Sequence, residues 1–183
     1  MVAVDLNSRL LSGERIVWSG APGQGLLLTS ADMMMIPFSL VWCGFTIVWE
    51  TTAFSQGGPA FFLLFGAAFV LVGVYLVVGR FVLDALVRRD MQYAVTNKRI
   101  LISRAGLFSK FTALSLDGLP EATLSERANG RGTIRFGRPV QFLTGGTGSY
   151  VNWTPSLDPT PQLLNIEDAR TVFDQIQRQS GRG

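Results

Sequence analysis

The sequence predicts an α+β membrane protein, in which a two-helix transmembrane hairpin is joined to a small antiparallel β-barrel or sandwich capped by a C-terminal helix. Three observations lead to this fold class: two long apolar runs, a later region of short alternating strands, and an amphipathic helical pattern at the end. Only 16% of the 183 residues are charged. Together with the clustering of apolar residues, this composition is typical of a membrane protein.

The apolar runs cover residues 33–49 and 60–80 of a predicted hairpin at 31–89. A helix needs about 17–25 mostly apolar residues to cross a bilayer, and each run meets that length. The break at 50–59 contains no Lys or Arg. Arg9 and Arg15 precede the first span, whereas Arg80, Arg88 and Arg89 lie at or after the end of the second. The positive-inside rule therefore predicts a multi-pass protein of the cytoplasmic (inner) membrane with both termini in the cytoplasm.

Small and polar residues predict how the hairpin is built. Gly66 and Gly73 share one helical face, and Gly44 offers a small residue on the other helix, so the two helices are expected to approach closely. Trp42 lies deep in its run and is expected to face the second helix. Arg80 is expected to snorkel from the end of its helix toward the headgroups. Ser39 and Thr46 are the polar residues inside the predicted spans, and neither is ionisable, which argues against an ion path.

The rest of the chain divides into an N-terminal cytoplasmic segment, 1–30, and a cytoplasmic domain, 90–183. The N-terminal segment is predicted to contain a short helix and a strand at 14–18, which we expect to pair with the later strands from the far side of the hairpin. The predicted strands of the domain lie at 91–96, 99–104, 107–116, 123–127, 133–136, 141–143, 150–153 and 162–164. Asn129-Gly130 predicts a tight turn between two of them.

A helix is predicted at 166–179, with Asn165 as its N-cap. Its apolar residues recur at helical spacing and are expected to cover an open end or seam of the barrel. They are Ile166, Ala169, Val172, Phe173 and Ile176.

One stretch resembles a known family. Tyr93-Ala-Val-Thr-Asn-Lys-Arg99 precedes Leu116-Asp117 and Gly132-Thr-Ile134, and it follows Gly13-Glu-Arg-Ile-Val-Trp18 and the two apolar runs. This pattern is similar to that of the bacterial pleckstrin-homology-like membrane proteins, with their Tyr-x-Val-Thr-Asn-x-Arg hairpin. The resemblance extends from Gly13 to Gln179. It implies a barrel of about seven strands closed by one helix, and it implies little about activity because one fold hosts many functions.

Basic residues are concentrated in the strand region. Residues 84–140 carry a net charge of +5, whereas the remainder of the chain sums to −2. Clusters of four to eight basic residues bind anionic lipid headgroups, although the same excess would suit a solvated, positive-inside face. Both interpretations remain open. The candidate lipid-contacting residues lie at the first predicted turn of the domain and around the Asn129-Gly130 turn, and are Lys98, Arg99, Arg127, Arg131, Arg135 and Arg138. Arg99 is alternatively expected to pair with Asp90 or Asp117.

The composition argues against catalysis and against a bound metal or cofactor. The chain has no His, and its one Cys, Cys43, cannot form a Cys-based zinc site or an intrachain disulfide. Ser103 and Lys110 are a conceivable Ser–Lys pair, but we interpret them as an exposed cross-strand pair. Gly145-Gly-Thr-Gly-Ser149 lacks the Lys of a phosphate-binding loop. No aromatic platform accompanies the basic strands, so nucleic-acid binding is not expected.

The sequence therefore predicts a non-enzymatic integral membrane protein with a cytoplasmic binding or scaffolding domain. Its expected partners are the lipid bilayer and an unidentified membrane or cytoplasmic protein, with anionic phospholipid headgroups as the alternative ligand. A role as an accessory subunit of a membrane enzyme or transporter is a further alternative. Self-association into a dimer or ring also remains open.

Overall fold

The structure is a computed structural model that describes residues 6–137 and 154–181. The chain divides into two compact units: unit 1 is Met1–Gly25 together with Asp84–Gly183, and unit 2 is Leu26–Leu83. Two apolar helices and two small antiparallel sheets are present, so the fold is α+β as predicted.

Two long helical segments carry most of the apolar sequence. The first is α1 (Asp32–Ser55), and the second is built from α2 (Ala60–Val74), a π-helical turn (Tyr75–Gly79) and α3 (Arg80–Arg89). They contain 24 and 30 residues, and both are long and apolar enough to cross a membrane. Both extend beyond the predicted spans, because helical hydrogen bonding continues through the polar residues at their ends.

Glycine permits a close approach of α1 and α2 in unit 2. A Cβ added to Gly73 would lie 3.0 Å from the Cα of Cys43, and one added to Gly66 would overlap the side chains of Trp49 and Glu50. The predicted glycine contact face of the second helix is therefore confirmed.

The residue that faces this glycine surface differs from the prediction. Nothing lies within 4 Å of a Cβ added to Gly44, so the expected role of Gly44 was wrong, and Cys43 occupies the position opposite Gly73. A one-residue step along a helix turns a side chain by about 100°, which accounts for the difference. The expected orientation of Trp42 is confirmed, because its ring stacks on Phe69 with centroids 5.7 Å apart.

Sheet 1 of unit 1 contains β1 (Ile16–Gly20), β2 (Met91–Thr96), β3 (Arg99–Arg104) and β4 (Lys110–Ser115) in that spatial order. All three pairings are antiparallel. The N-terminal strand thus pairs with a strand that follows it by more than seventy residues, with Gly20 opposite Tyr93. This confirms the predicted pairing across the intervening hairpin sequence.

The two central strands of sheet 1 are buried on both faces. Ala94 and Leu101 pack on one face with Leu6, which belongs to the short 3₁₀ helix Leu6–Arg9. Tyr93 points to the face opposite that of Ala94, because side chains alternate along a strand. Burial on both sides explains the apolar residues at consecutive positions, Tyr93–Val95 in β2 and Ile100–Ile102 in β3.

Sheet 2 contains β5 (Ala122–Glu126), β6 (Gly132–Phe136) and β7 (Gln162–Ile166), again antiparallel and in chain order. Helix α4 (Ala169–Ser180) packs against β5 and β6. The predicted turn at Asn129-Gly130 connects β5 and β6.

The beginning of the last helix differs from the prediction. Ile166 belongs to β7, and α4 begins at Ala169 with Asp168 in the N-cap position. The predicted cap at Asn165 was wrong, because the N–H of Asn165 donates instead to the Thr133 hydroxyl at 3.2 Å. Ile166, which the helical pattern had placed in the helix, therefore pairs with Gly132 of β6.

The third predicted strand is shorter than expected. A 3₁₀ turn occupies Gly106–Phe108, and β4 begins only at Lys110. The predicted strands at 141–143 and 150–153, together with the loop at 145–149, lie outside the described residues.

Candidate functional site

The predicted lipid-contacting residues are divided between the two sheets. Lys98 and Arg99 lie at the β2–β3 turn of sheet 1, whereas Arg127 and Arg131 flank the β5–β6 turn of sheet 2 and Arg135 lies within β6. Arg138 lies outside the described residues.

Arg99 is held by a buried carboxylate. Its Nε and Nη2 lie 2.9 Å and 3.0 Å from the two oxygens of Glu14, which also accepts a hydrogen bond from the Thr96 hydroxyl at 2.8 Å. Pairing with Asp90 or Asp117 was therefore the wrong expectation for Arg99. Glu14 lies far away in sequence, and the pairing of β1 with β2 brings it near.

The charge of Glu14 is strongly stabilised. Burial alone would raise the pKa of this carboxyl, but hydrogen bonds from Arg99, the Leu11 N–H and the Thr96 hydroxyl lower that pKa to about 2. Asn97 adds a further link, because its side-chain oxygen accepts from the Arg15 N–H at 2.9 Å. Thr96 also accepts from the N–H groups of Lys98 and Arg99, as predicted for this turn.

The arginines of sheet 2 also have partners within the chain. Arg131 forms an ion pair with Glu167. Arg135 donates to the Gln162 side chain at 3.2 Å and lies 3.8 Å from the carboxylate of Asp158. Lys98 donates from Nζ to the Ser12 carbonyl at 3.0 Å. The predicted basic residues are therefore divided between two sheets, and several of their charges are engaged within the chain.

A different pair of basic residues borders a cleft in unit 1, on the face of sheet 1 that carries Tyr93. Arg104 on β3 and Lys110 on β4 are directly opposite each other in the strand register. The cleft has a volume of about 30 Å³. Strands β2–β4 form one wall and the segment Ser156–Leu164 forms the other. Its polar lining beyond the two basic residues comprises Thr112, Ser156, Asp158, Thr160 and Gln162.

Hydrogen bonds fix Ser156 in the cleft wall. Its N–H donates to Asp84 Oδ1 at 2.9 Å, and its carbonyl accepts from Arg104 Nη1 at 2.7 Å. Ser156 is only 3% exposed, yet its hydroxyl has no hydrogen-bond partner in the part of the chain that the structure describes. A buried, unpaired hydroxyl costs free energy, so it is a notable feature of this wall. Burial lowers the pKa of Arg104.

Asp84 belongs to a second buried polar cluster. Its other oxygen accepts from Arg88 Nε at 2.7 Å, and Arg88 is 1% exposed. Arg88 also donates to the carbonyls of Gly23 and Gly25. The cluster thus connects the end of α3, the N-terminal loop and the cleft wall within unit 1. This cluster was not predicted from the sequence, although the i, i+4 spacing of Asp84 and Arg88 is typical of an ion pair on a helix.

Unit 2 contains ionisable residues at the ends of the predicted spans or just beyond them. Arg80 was expected to snorkel, but it is 2% exposed and its Nη1 lies 2.6 Å from Asp32 Oδ1. Asp32 also accepts from the N–H and hydroxyl of Thr29, so it ends the turn before α1. One carboxylate oxygen of Glu50 is buried without a hydrogen-bond partner. The prediction that Ser39 and Thr46 are the polar residues of the spans was therefore wrong, because α1 extends far enough to include Asp32 and Glu50.

The structure gives no support to the conceivable Ser–Lys pair. Ser103 lies opposite Phe111 and is buried, whereas Lys110 lies opposite Arg104 and is exposed. The expected cross-strand pairing of Ser103 with Lys110 was therefore also wrong. Within residues 6–137 and 154–181, no group of three or more Cys, Asp or Glu residues could hold a metal ion.

The cleft residues Arg104, Lys110 and Ser156 were not identified from the sequence. The turn after Arg104 could have suggested that it faces Lys110, but the position of Ser156 depends on a segment more than forty residues away. Comparisons with protein-family models, with curated proteins and with solved structures found no match.

Proposed function

We propose that this is a non-enzymatic integral protein of the inner membrane that carries a cytoplasmic pleckstrin-homology-like domain for binding or scaffolding a protein partner. In this proposal unit 2 is the membrane hairpin and unit 1 is the binding domain. The lipid bilayer surrounds the hairpin, and both termini lie in the cytoplasm.

The observation that carries the proposal is the exposure of large apolar side chains on both long helices. Met33 is 86% exposed, Val41 is 74% exposed and Leu64 is 76% exposed. Leaving apolar surface in water costs about 25 cal/mol per Å², and an apolar patch of this extent indicates contact with lipid or protein. In a bilayer, lipid contacts such an apolar surface on every side of a hairpin and keeps it out of water.

The pleckstrin-homology-like assignment is supported by how the motif residues are used. Thr96, Asn97 and Arg99 all contact the segment Gly13–Trp18, which is another part of the resemblance. Seven strands and a C-terminal helix are described, in agreement with the architecture that the resemblance implies. We therefore assign these residues to folding of the domain and not to ligand contact.

A protein partner is favoured over anionic lipid because Arg99, Arg131 and Arg135 already have acidic neighbours. The lipid alternative predicts that Arg131→Glu with Arg135→Glu weakens binding of the full-length protein to anionic vesicles. Full-length protein is needed, since a fragment beginning at residue 88 would lack β1. Salt-sensitive binding that the double variant abolishes would support lipid recognition.

An accessory subunit of a membrane enzyme or transporter is the second candidate. Glu50, with one buried and unpaired carboxylate oxygen, is the observation that favours it. Ionisable groups within membrane helices commonly serve transport or assembly. Co-purification of a larger membrane complex that Glu50→Gln disrupts would support this candidate over a stand-alone scaffold.

The topology can be tested with paired reporters. Alkaline phosphatase, which is active only outside the cytoplasm, would be fused after Gly183 and, separately, inserted after Gly58 between the helices. We expect activity from the insertion after Gly58 and none from the C-terminal fusion, with the opposite result for a cytoplasm-active fluorescent reporter. An active phosphatase after Gly183 would overturn the proposed orientation.

A further inference from the structure

We propose that the cleft between β3–β4 and the segment Ser156–Leu164 is a binding site for one carboxylate group, supplied by an acidic side chain or chain end of a partner protein. This inference names the ligand class of the domain described under the proposed function and rests on that function. Three features of the cleft support this proposal: its charge, the unpaired hydroxyl of Ser156 and its size.

Charge is the first argument. Arg104 and Lys110 lie opposite each other and both line the cleft. Asp158 also lines it, but its carboxylate accepts from the Thr160 N–H at 2.8 Å and lies 3.8 Å from Arg135. The three charged residues of the lining therefore carry a net charge of +1, and Arg135 also lies near the carboxylate of Asp158, so the site favours an anion.

The hydroxyl of Ser156 supplies the second argument. The main chain of Ser156 is held on both sides, by Asp84 and by Arg104, so its side chain is positioned before any ligand arrives. The buried hydroxyl has no partner among residues 6–137 and 154–181. An acceptor oxygen in the cleft would satisfy it, and hydrogen bonds to a charged acceptor are about twice as strong as neutral ones.

Size is the third argument. About 30 Å³ of the cleft is open to the centres of water-sized groups, which is room for a small polar group. A planar carboxylate can place one oxygen there while the rest of its molecule remains outside. A tetrahedral phosphate is larger. A neutral apolar group would leave the Ser156 hydroxyl and the Lys110 ammonium without an acceptor in the cleft, whereas Arg104 already donates to the carbonyls of Phe108 and Ser156.

The experiment measures unfolding of the full-length protein in neutral detergent by calorimetry, with propionate, phosphate or chloride at equal ionic strength. At about ten times its dissociation constant, propionate should raise the midpoint of unit 1 by about 3–6 °C above its value in chloride. Ser156→Ala should leave the midpoint in chloride unchanged or higher, because it removes an unpaired hydroxyl, while the rise in propionate is lost. Lys110→Gln should also lose that rise.

The matched control is Arg89→Gln, which removes one exposed positive charge elsewhere and should retain the full propionate effect. A rise that persists in both Ser156→Ala and Lys110→Gln would overturn the site, as would equal midpoints in propionate and chloride. A larger rise in phosphate than in propionate would overturn the assignment to carboxylate. These results are independent of the reporter topology, so failure of this site and failure of the membrane orientation are distinguishable.

A second arm identifies the source of the carboxylate. A capped hexapeptide of alternating Thr and Glu is compared with propionate and with the same peptide carrying Gln in place of Glu. Tighter binding of the Glu peptide than of propionate supports a protein-borne carboxylate. Binding of propionate with no gain from the Glu peptide would overturn the protein source and leave a small free carboxylate as the ligand.

Discussion

The hydroxyl oxygen of Tyr93 accepts a hydrogen bond from the backbone N–H of Leu164 at 3.2 Å, and this contact joins the two sheets of unit 1. Tyr93 lies on β2 of sheet 1, and Leu164 lies on β7 of sheet 2. Both residues are buried. Burial raises the pKa of Tyr93, so the phenol stays neutral and remains available as the acceptor. The Tyr93 hydroxyl therefore helps to hold the two sheets of unit 1 together.

Tyr93→Phe should destabilise unit 1 by about 1–3 kcal/mol, because the N–H of Leu164 would be left buried without an acceptor. The measurement is the shift of the unfolding midpoint in denaturant for the full-length protein in detergent. Tyr75→Phe is the matched control, since Tyr75 is 38% exposed and belongs to unit 2. Equal stability of the Tyr93→Phe variant and the wild type would show that the contact contributes nothing to the fold.

The Glu14–Arg99 ion pair predicts sensitivity of unit 1 to acid. Folding lowers the pKa of Glu14 from an ordinary value of 4.5 to about 2. The unfolded chain therefore binds the proton more readily than the folded one, and the stabilisation present above pH 4.5 is lost as the pH falls toward 2. Unfolding midpoints measured from pH 6 to pH 3 should fall more steeply in the wild type than in Glu14→Gln.

The control for this pH dependence is Glu167→Gln. Glu167 forms an exposed ion pair with Arg131, so its loss should change the slope little. Parallel pH profiles of the wild type and Glu14→Gln would contradict the assignment of acid sensitivity to Glu14.

Local sequence patterns were enough to predict several elements. The hairpin register places β2 and β3 at the predicted residues, and the glycines of the second apolar run pack as expected because small side chains permit close helix contact. These features depend on neighbours in sequence or on residue size. The α+β class follows from them.

Partners distant in sequence could not be predicted in the same way. Asp90 and Asp117 lie nearer to Arg99 in sequence. Arg99 pairs with Glu14 instead, because the pairing of β1 brings this buried carboxylate beside the turn. Arg80 was assigned to the headgroups from its position alone, although Asp32 lies at the facing end of α1. Ser156 reaches the cleft through bonds to Asp84 and Arg104, and no local pattern encodes those bonds.

The buried pair Asp32–Arg80 predicts a strong dependence on both partners. Arg80→Met should destabilise unit 2 by about 3–5 kcal/mol, because the carboxylate of Asp32 would remain buried without its counter-charge. Adding Asp32→Asn should recover much of that loss, since the amide oxygen can still accept from Thr29. Unfolding in mixed detergent gives the three stabilities. A double variant no more stable than Arg80→Met would contradict charge pairing as the cause.

The contact between Gly73 and Cys43 predicts that a large side chain at position 73 will separate the two helices. Gly73→Leu should cost about 1–3 kcal/mol, because a Cβ there would already lie 3.0 Å from the Cα of Cys43 and neither backbone can move without disturbing its helix. Gly44→Leu is the matched control on the partner helix, since nothing lies within 4 Å of its added Cβ. Helicity by circular dichroism should be equal in both variants, whereas the unfolding midpoint should fall only for Gly73→Leu. Equal midpoints would show that the close approach does not stabilise the hairpin, and a loss in Gly44→Leu alone would place the helix contact on the other face of α1.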